Sequence, residues 1–141
     1  MIYLDNAATT ALSPAAIQAM TKTMTVFGNP SSTHSHGREA SKLLRQARED
    51  IAQALHTQSN KILFTSGGTE SNNTAIKGYA LRHQNRGKHI VTTAIEHHAV
   101  LEVVEYLVDK FGFEATFVQP VDGQIRAADI KKALRPDTIL V

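Results

Sequence analysis

The stretch Lys61-Ile-Leu-Phe-Thr-Ser-Gly-Gly-Thr-Glu-Ser-Asn-Asn73 carries the residue types most suited to holding a ligand. It predicts a short apolar strand over 62–65 that turns through Ser66-Gly67-Gly68-Thr69 directly into a helix. Two glycines let the backbone come close to a bound group, and the free amides of a first helical turn point at whatever lies ahead of them. The hydroxyls of Ser66 and Thr69 are of a kind that binds phosphate oxygens. Neither the Gly-x-Gly-x-x-Gly dinucleotide pattern nor a Walker loop is present, because the glycine spacing and the Gly-Lys-Ser/Thr are missing. Two readings fit these residues: an anion site, or a tight strand-to-helix connection.

A second group of interest is His97. The apolar stripe of its helix runs Val100, Val103, Val104, Leu107, Val108 and Phe111, and spacing places His97 at the head of that inward stripe. His98 points about 100° away and heads the polar row Glu102, Glu105, Asp109. The positive end of the helix favours a neutral ring. A flat neutral ring beside an anion-binding turn suits stacking on an aromatic cofactor; the other reading is a packed histidine bonded to backbone. No metal site is expected, because His98 and Glu102 lack a third strong ligand and the His-Glu-x-x-His spacing. His34 and His36 alternate in a polar loop. His56, His83 and His89 sit near element ends, where a structural role is expected.

The elements that must position these residues alternate in type. Ser13-Pro14 opens a helix reaching about residue 24, with serine as cap and proline at the first helical position. Residues 27–33 form a loop, and a long amphipathic helix covers about 38–55, with Ala40, Leu43, Leu44, Ala47, Ile51, Ala52 and Leu55 on its core-facing stripe. After the strand at 62–65, a helix is expected over 70–81, a strand over 89–93, a helix over 97–111, a strand over 115–118, a helix over 127–134 and a strand over 138–141. Strands separated by helices imply an α/β fold, a mostly parallel sheet with helices on both faces. Ligands of such sheets sit beyond the carboxyl ends of the strands. The Gly-Gly turn and His97 both fall there.

Bulk properties exclude several classes. A net charge of +2, with basic residues scattered among acids, gives no footprint for nucleic acid. With no cysteine, this stretch holds neither disulfides nor thiolate metal ligands. No apolar run reaches membrane-spanning length, and the start lacks signal-peptide character, so a cytoplasmic location is the expectation. Residues 137–141 read as a buried strand that stops in mid-run, as in a piece of a longer chain.

Four separated motifs occur in order: Tyr3-Leu-Asp-Asn-Ala-Ala-Thr-Thr10, Gly28-Asn-Pro-Ser-Ser-Thr-His34, Phe64-Thr-Ser-Gly-Gly-Thr-Glu-Ser-Asn-Asn73, and Glu96-His97 followed by Ala99-Val-Leu101. Together they resemble the cysteine desulfurases of the NifS/IscS type, within the class V aminotransferase group. The resemblance covers the whole chain and about the first third of a family member. It implies a fold-type I enzyme that uses pyridoxal 5′-phosphate to remove sulfur from L-cysteine, leaving alanine and an enzyme persulfide for iron–sulfur cluster assembly or thiolation pathways. By the same resemblance Gly68 and Thr69 hold the cofactor phosphate, and His97 stacks on the pyridine ring and assists proton transfer. Residues 1–14 would cross from the small domain, with 15–141 forming the first part of the large cofactor-binding domain. A homodimer and sulfur-acceptor partner proteins are implied for the complete protein.

The departures from the family pattern are as informative. No lysine lies in the family's Ser-x-His-Lys context, and Lys77, on the helix that follows the turn, is expected on an outward row. No cysteine is present to carry a persulfide. This stretch by itself is therefore expected to be inactive. The alternatives are another class V enzyme, such as a selenocysteine lyase or small-amino-acid aminotransferase, and a non-catalytic phosphate-binding α/β module.

Overall fold

The computed structural model describes residues 2–141, which form two compact units, one ending at Leu63 and the other running from Phe64 to Val141. In the first unit, helix α1 (Pro14–Thr23) begins where Ser13 accepts the Ala16 amide, at 3.2 Å, with Pro14 in its first turn. Helix α2 (Ser35–Ala54) starts three residues earlier than expected, because the His34 ring caps it by accepting the Gly37 amide at 3.3 Å. The loop before it is folded tightly: a Cβ on Gly28 or Gly37 would collide with the carbonyl of His36 or Ser32. The predicted stripe on α2 forms but is only partly covered. Ala52 is buried, whereas Leu43, Ile51 and Leu55 remain exposed. Helix α1 is amphipathic and short, and it leaves an apolar groove between Ala19, Val26, Leu43 and Leu44.

The second unit is the α/β body. Helix α3 (Gly68–His83), strand β1 (His89–Thr93), helix α4 (His98–Phe111), strand β2 (Glu114–Val118), helix α5 (Ala127–Ala133) and strand β3 (Thr138–Leu140) follow in order. The three strands are parallel and ordered β2-β1-β3, with His89 opposite both Glu114 and Thr138. The α/β class expected from the sequence is met. One strand is not: residues 62–65 are no part of the sheet. Ile62 is extended (φ −91°, ψ 119°), but a strand exists only where a neighbour completes its ladder, and Leu63 remains 68% exposed.

The core gathers on one face of β1. Ile90 packs with Ala80 of α3, Val104 and Leu107 of α4, and Phe113, all nearly inaccessible. Fully burying an aliphatic side chain of this size is worth roughly 1.5–3 kcal/mol, and these contacts hold α3 and α4 side by side. Gly112, left-handed at φ 65°, stops α4 so that the chain can turn into β2.

On the opposite pleat of β1, His89 is fully buried. The sequence suggested no partners for it; the structure supplies two. Its Nδ1 lies 2.7 Å from Thr138 Oγ1 on β3, and its Nε2 lies 2.9 Å from Thr116 Oγ1 on β2, so one imidazole ties all three strands together. Outside it, Arg135 grips Asp137 at 3.0 and 2.8 Å and reaches Glu114 at 2.5 Å, joining the entries of β3 and β2.

Burial, and then the nearby Arg135 charge, hold the His89 pKa below its ordinary value. The folded protein therefore binds this proton less readily than the unfolded chain. Stability from this group is complete above the ordinary histidine value near 6.5 and declines as pH falls below it. The unfolding midpoint should drop between about pH 7.5 and about pH 5.5, with a shallower slope in a His89→Gln variant. Equal slopes in the two proteins would rule out His89 as the source.

Candidate functional site

Helix α3 starts at Gly68, within the predicted turn and two residues earlier than expected. Gly67 is its cap and is extended (φ 167°, ψ −178°), so its backbone places no demand for glycine. Ahead of the turn lies open space: a Cβ on Gly67 or Gly68 would meet nothing within 4 Å beyond the adjoining backbone. Nothing in the chain fills that volume. The first helical bond runs from Ser71 N to Gly67 O at 3.1 Å, which leaves the amides of Gly68, Thr69 and Glu70 without helical acceptors. Gly68 and Thr69 are both exposed. An open volume bounded by unpaired amides at a positive helix end fits a phosphate group.

The turn is braced from its flanks. Glu70 Oε2 accepts the Ser66 amide at 2.6 Å and the Ser66 hydroxyl at 2.7 Å. The Ser66 N–H, and secondarily its O–H, hold the Glu70 carboxyl below the usual carboxylate range. Ser66 was expected to offer its hydroxyl to a phosphate; the structure commits that hydroxyl to Glu70 instead. On the other flank, Thr65 Oγ1 bonds Gly67 O at 3.2 Å and shares a 2.6 Å contact with Ser71 Oγ. Composition alone gives Glu70 no role in the turn. Its place three residues after the cap, the acidic position of a capping box, was the available signal.

His97 differs from expectation in one respect. Helix α4 begins at His98, so His97 is the N-cap and is exposed; it does not open the buried stripe, which starts at Ala99. Its Nδ1 accepts the Ala99 amide at 3.0 Å. That nitrogen is thus unprotonated, and the ring proton of the neutral form sits on Nε2. The turn leading to it is closed by Thr93 Oγ1 donating to Glu96 Oε1 at 2.8 Å. His98 is exposed, as its polar row predicted.

Topology brings the turn and the histidine to one edge. Helix α3 ends at His83, six residues before β1 enters the sheet at His89, and α4 leaves after β1 ends. Both helices run back along β1, and they pack against each other, so both N-termini lie at its carboxyl end. Between them is a largely apolar cavity of about 240 Å³, lined by Ile76, Thr92, Glu96, Val100 and Leu140 among others. Gly68, Thr69 and His97 do not line it; they sit at the open edge. Lys77, expected on an outward row, instead lies over the Tyr106 ring of α4, 4.3 Å from its centroid. It is a packing residue.

This arrangement, an α/β body with an amide turn and a capping histidine at one strand edge, has clear relatives. Residues 2–141 match the Aminotransferase class-V family, and the chain belongs to that family. Over 143 residues it is 52% identical to a protein of Dictyoglomus turgidum named cysteine desulfurase IscS, an alignment covering 99% of this chain and 36% of that protein. A solved NifS-like protein has a similar fold (TM-score 0.82, 37% identity, 93% of this chain and 36% of that one). So does a structure described as SspA in complex with cysteine (TM-score 0.80, 36% identity, 94% and 38%). The chain thus spans about a third of the length of the curated relatives it matches.

Because a Cβ at Gly68 meets only open space, Gly68→Ala should fold normally, with stability unchanged or raised by up to about 1 kcal/mol. The same methyl intrudes on the space ahead of the turn. Pyridoxal phosphate titrated into the full-length protein should bind about tenfold more weakly. Unchanged affinity would remove this turn from the binding site.

Proposed function

We propose that the protein carrying this chain is a pyridoxal-phosphate-dependent cysteine desulfurase, releasing sulfur from L-cysteine and leaving alanine. The open amide turn at Gly67–Thr69 carries the reading, in a chain half identical over its length to a protein of that name. Membership of the class V family and a solved relative described with cysteine support it. The amides of Gly68 and Thr69 and the Thr69 hydroxyl would hold the cofactor phosphate. When bound, the cofactor supplies an electron sink for charge developing at the amino acid's α-carbon.

His97 is the residue of this chain proposed to touch the reacting system. Its exposed ring would lie flat on the cofactor, with Nδ1 held by the Ala99 amide and the Nε2 proton available for transfer to or from substrate. Holding Nδ1 in a backbone bond fixes both the tautomer and the tilt of the ring. The lysine that binds the cofactor and the cysteine that accepts sulfur would come from the rest of the protein, since no cysteine occurs here. The division into a segment 1–14 from a small domain and a large-domain portion 15–141 belongs to the same proposal. So do a cytoplasmic homodimer and sulfur-acceptor proteins as partners, which rest on the family resemblance alone.

The test uses the full-length protein. Borohydride should fix pyridoxal phosphate to one of its lysines, and cysteine should yield alanine and sulfide in the presence of a thiol. Cofactor fixation without sulfur release would direct attention to another class V chemistry; no fixation at all would end the enzyme reading. A His97→Asn variant separates capping from chemistry, since asparagine caps helices well. It should unfold like the parent and bind cofactor within a few-fold, yet release sulfur roughly a hundredfold more slowly. Activity equal to the parent would confine His97 to its structural task.

A further inference from the structure

Glu70 takes no part in that chemistry, yet it makes two short side-chain contacts at the proposed phosphate turn. Its Oε2 takes both donors of Ser66, at 2.6 and 2.7 Å. In an ordinary capping box the acidic residue reaches back to the amide of the cap itself. Here the cap is Gly67, and the carboxylate passes over it to the preceding residue. The contact therefore links the residue before the glycine pair to the residue two places after it.

That link matters because, beyond the bonds to the Gly67 carbonyl from Ser71 N and Thr65 Oγ1, no side chain packs against the glycines. A Cβ on either would touch nothing beyond the adjoining backbone, and glycine has the largest backbone freedom of any residue. A turn left that loose would lose its alignment of amides, and ordering it would weaken binding. Glu70 with Ser66 on one flank, and Thr65 with Ser71 on the other, supply the constraint from outside. A competing account makes the carboxylate a rival for the phosphate place. The contacts argue against that, because Glu70 takes the donors of Ser66 and leaves the amides of Gly68 and Thr69 without helical acceptors.

We propose that Glu70 is a positioning residue of the phosphate site: by clamping Ser66 across the two glycines, it holds the Gly68 and Thr69 amides in place for the ligand's phosphate. This rests on the proposed cofactor reading, and it adds a residue which that reading does not use. The carboxylate's negative charge is offset by two donors it holds at short range, so an amide oxygen at the same place can do the same work. Ser66 is its necessary partner and is withdrawn from direct ligand contact.

The experiment compares the full-length parent with Glu70→Ala, Glu70→Gln and Ser66→Ala, each stripped of cofactor and titrated with pyridoxal 5′-phosphate and with pyridoxal, which lacks the phosphate. Glu70→Ala should weaken pyridoxal phosphate about tenfold while changing pyridoxal by less than about twofold. Glu70→Gln should stay within about threefold of the parent, because its oxygen can still accept from Ser66. Ser66→Ala removes only the hydroxyl half of the clamp and should cost about threefold for the phosphorylated ligand alone. It carries the test if Glu70→Ala does not fold. Tighter or unchanged binding of pyridoxal phosphate by Glu70→Ala would overturn the proposal, as would an equal loss for both ligands. A parent that binds no pyridoxal phosphate would overturn the functional reading and this inference together; a parent that binds it, with an indifferent Glu70→Ala, overturns only the inference.

Discussion

The packing of Ile90 against Ala80, Val104 and Leu107 is the contact on which the rest of the α/β body depends. Parallel strands cannot be joined by tight turns, so each connection runs back as a helix along the sheet. Helices α3 and α4 both run antiparallel to β1, and the shared core locks them beside each other. Their N-termini consequently emerge at one edge, bringing two separate sequence motifs into register. The site follows from that geometry: without the core, the glycine turn and His97 would be two unrelated helix starts.

The opposite face of β1 is held by polar groups. His89 bonds hydroxyls on both flanking strands, and Arg135 joins the strand entries from outside. Burying an imidazole is tolerated because both ring nitrogens find partners, and burial in turn disfavours its charged form. These contacts lie at the amino ends of the strands, and the groups proposed to meet a ligand lie at the carboxyl ends. The stabilising contacts and the candidate binding groups therefore occupy opposite edges of the same short sheet.

At the carboxyl edge the two helix starts use backbone amides differently. At α4 the amide of Ala99 is bonded to His97 Nδ1, which gives the ring a defined tautomer. At α3 the amides of Gly68 and Thr69 have no helical acceptor, and the side chains around them brace the turn without filling it. A satisfied N-terminus positions a side chain; an open one remains free to receive an anion.

Much of this was legible in the residues. Helical periodicity and capping residues located all five α-helices to within a few positions, and the alternation of types named the fold class. Ser13-Pro14 and the Gly-Gly turn marked two helix starts because their signals are local: they depend on φ, ψ and neighbouring hydroxyls. The stretch 62–65 was misread for the opposite reason. Strand composition can be read locally, but a strand forms only with a distant ladder partner. The partners of His89 come from 27 and 49 residues away, which no short-range pattern reveals.

The sequence by itself determined which residues could bind an anion and which helices would carry them, because glycine turns, caps and amphipathic stripes are encoded within a few residues. Only the tertiary structure decided how those groups are used. Long-range packing placed both helix starts at one edge, moved His97 from a buried first turn to an exposed cap, and laid Lys77 on Tyr106. Folding also set Glu70 against Ser66, withdrawing from the ligand a hydroxyl that composition alone had offered to it. A side chain's task depends on which donors reach it first, and that is settled when the chain folds.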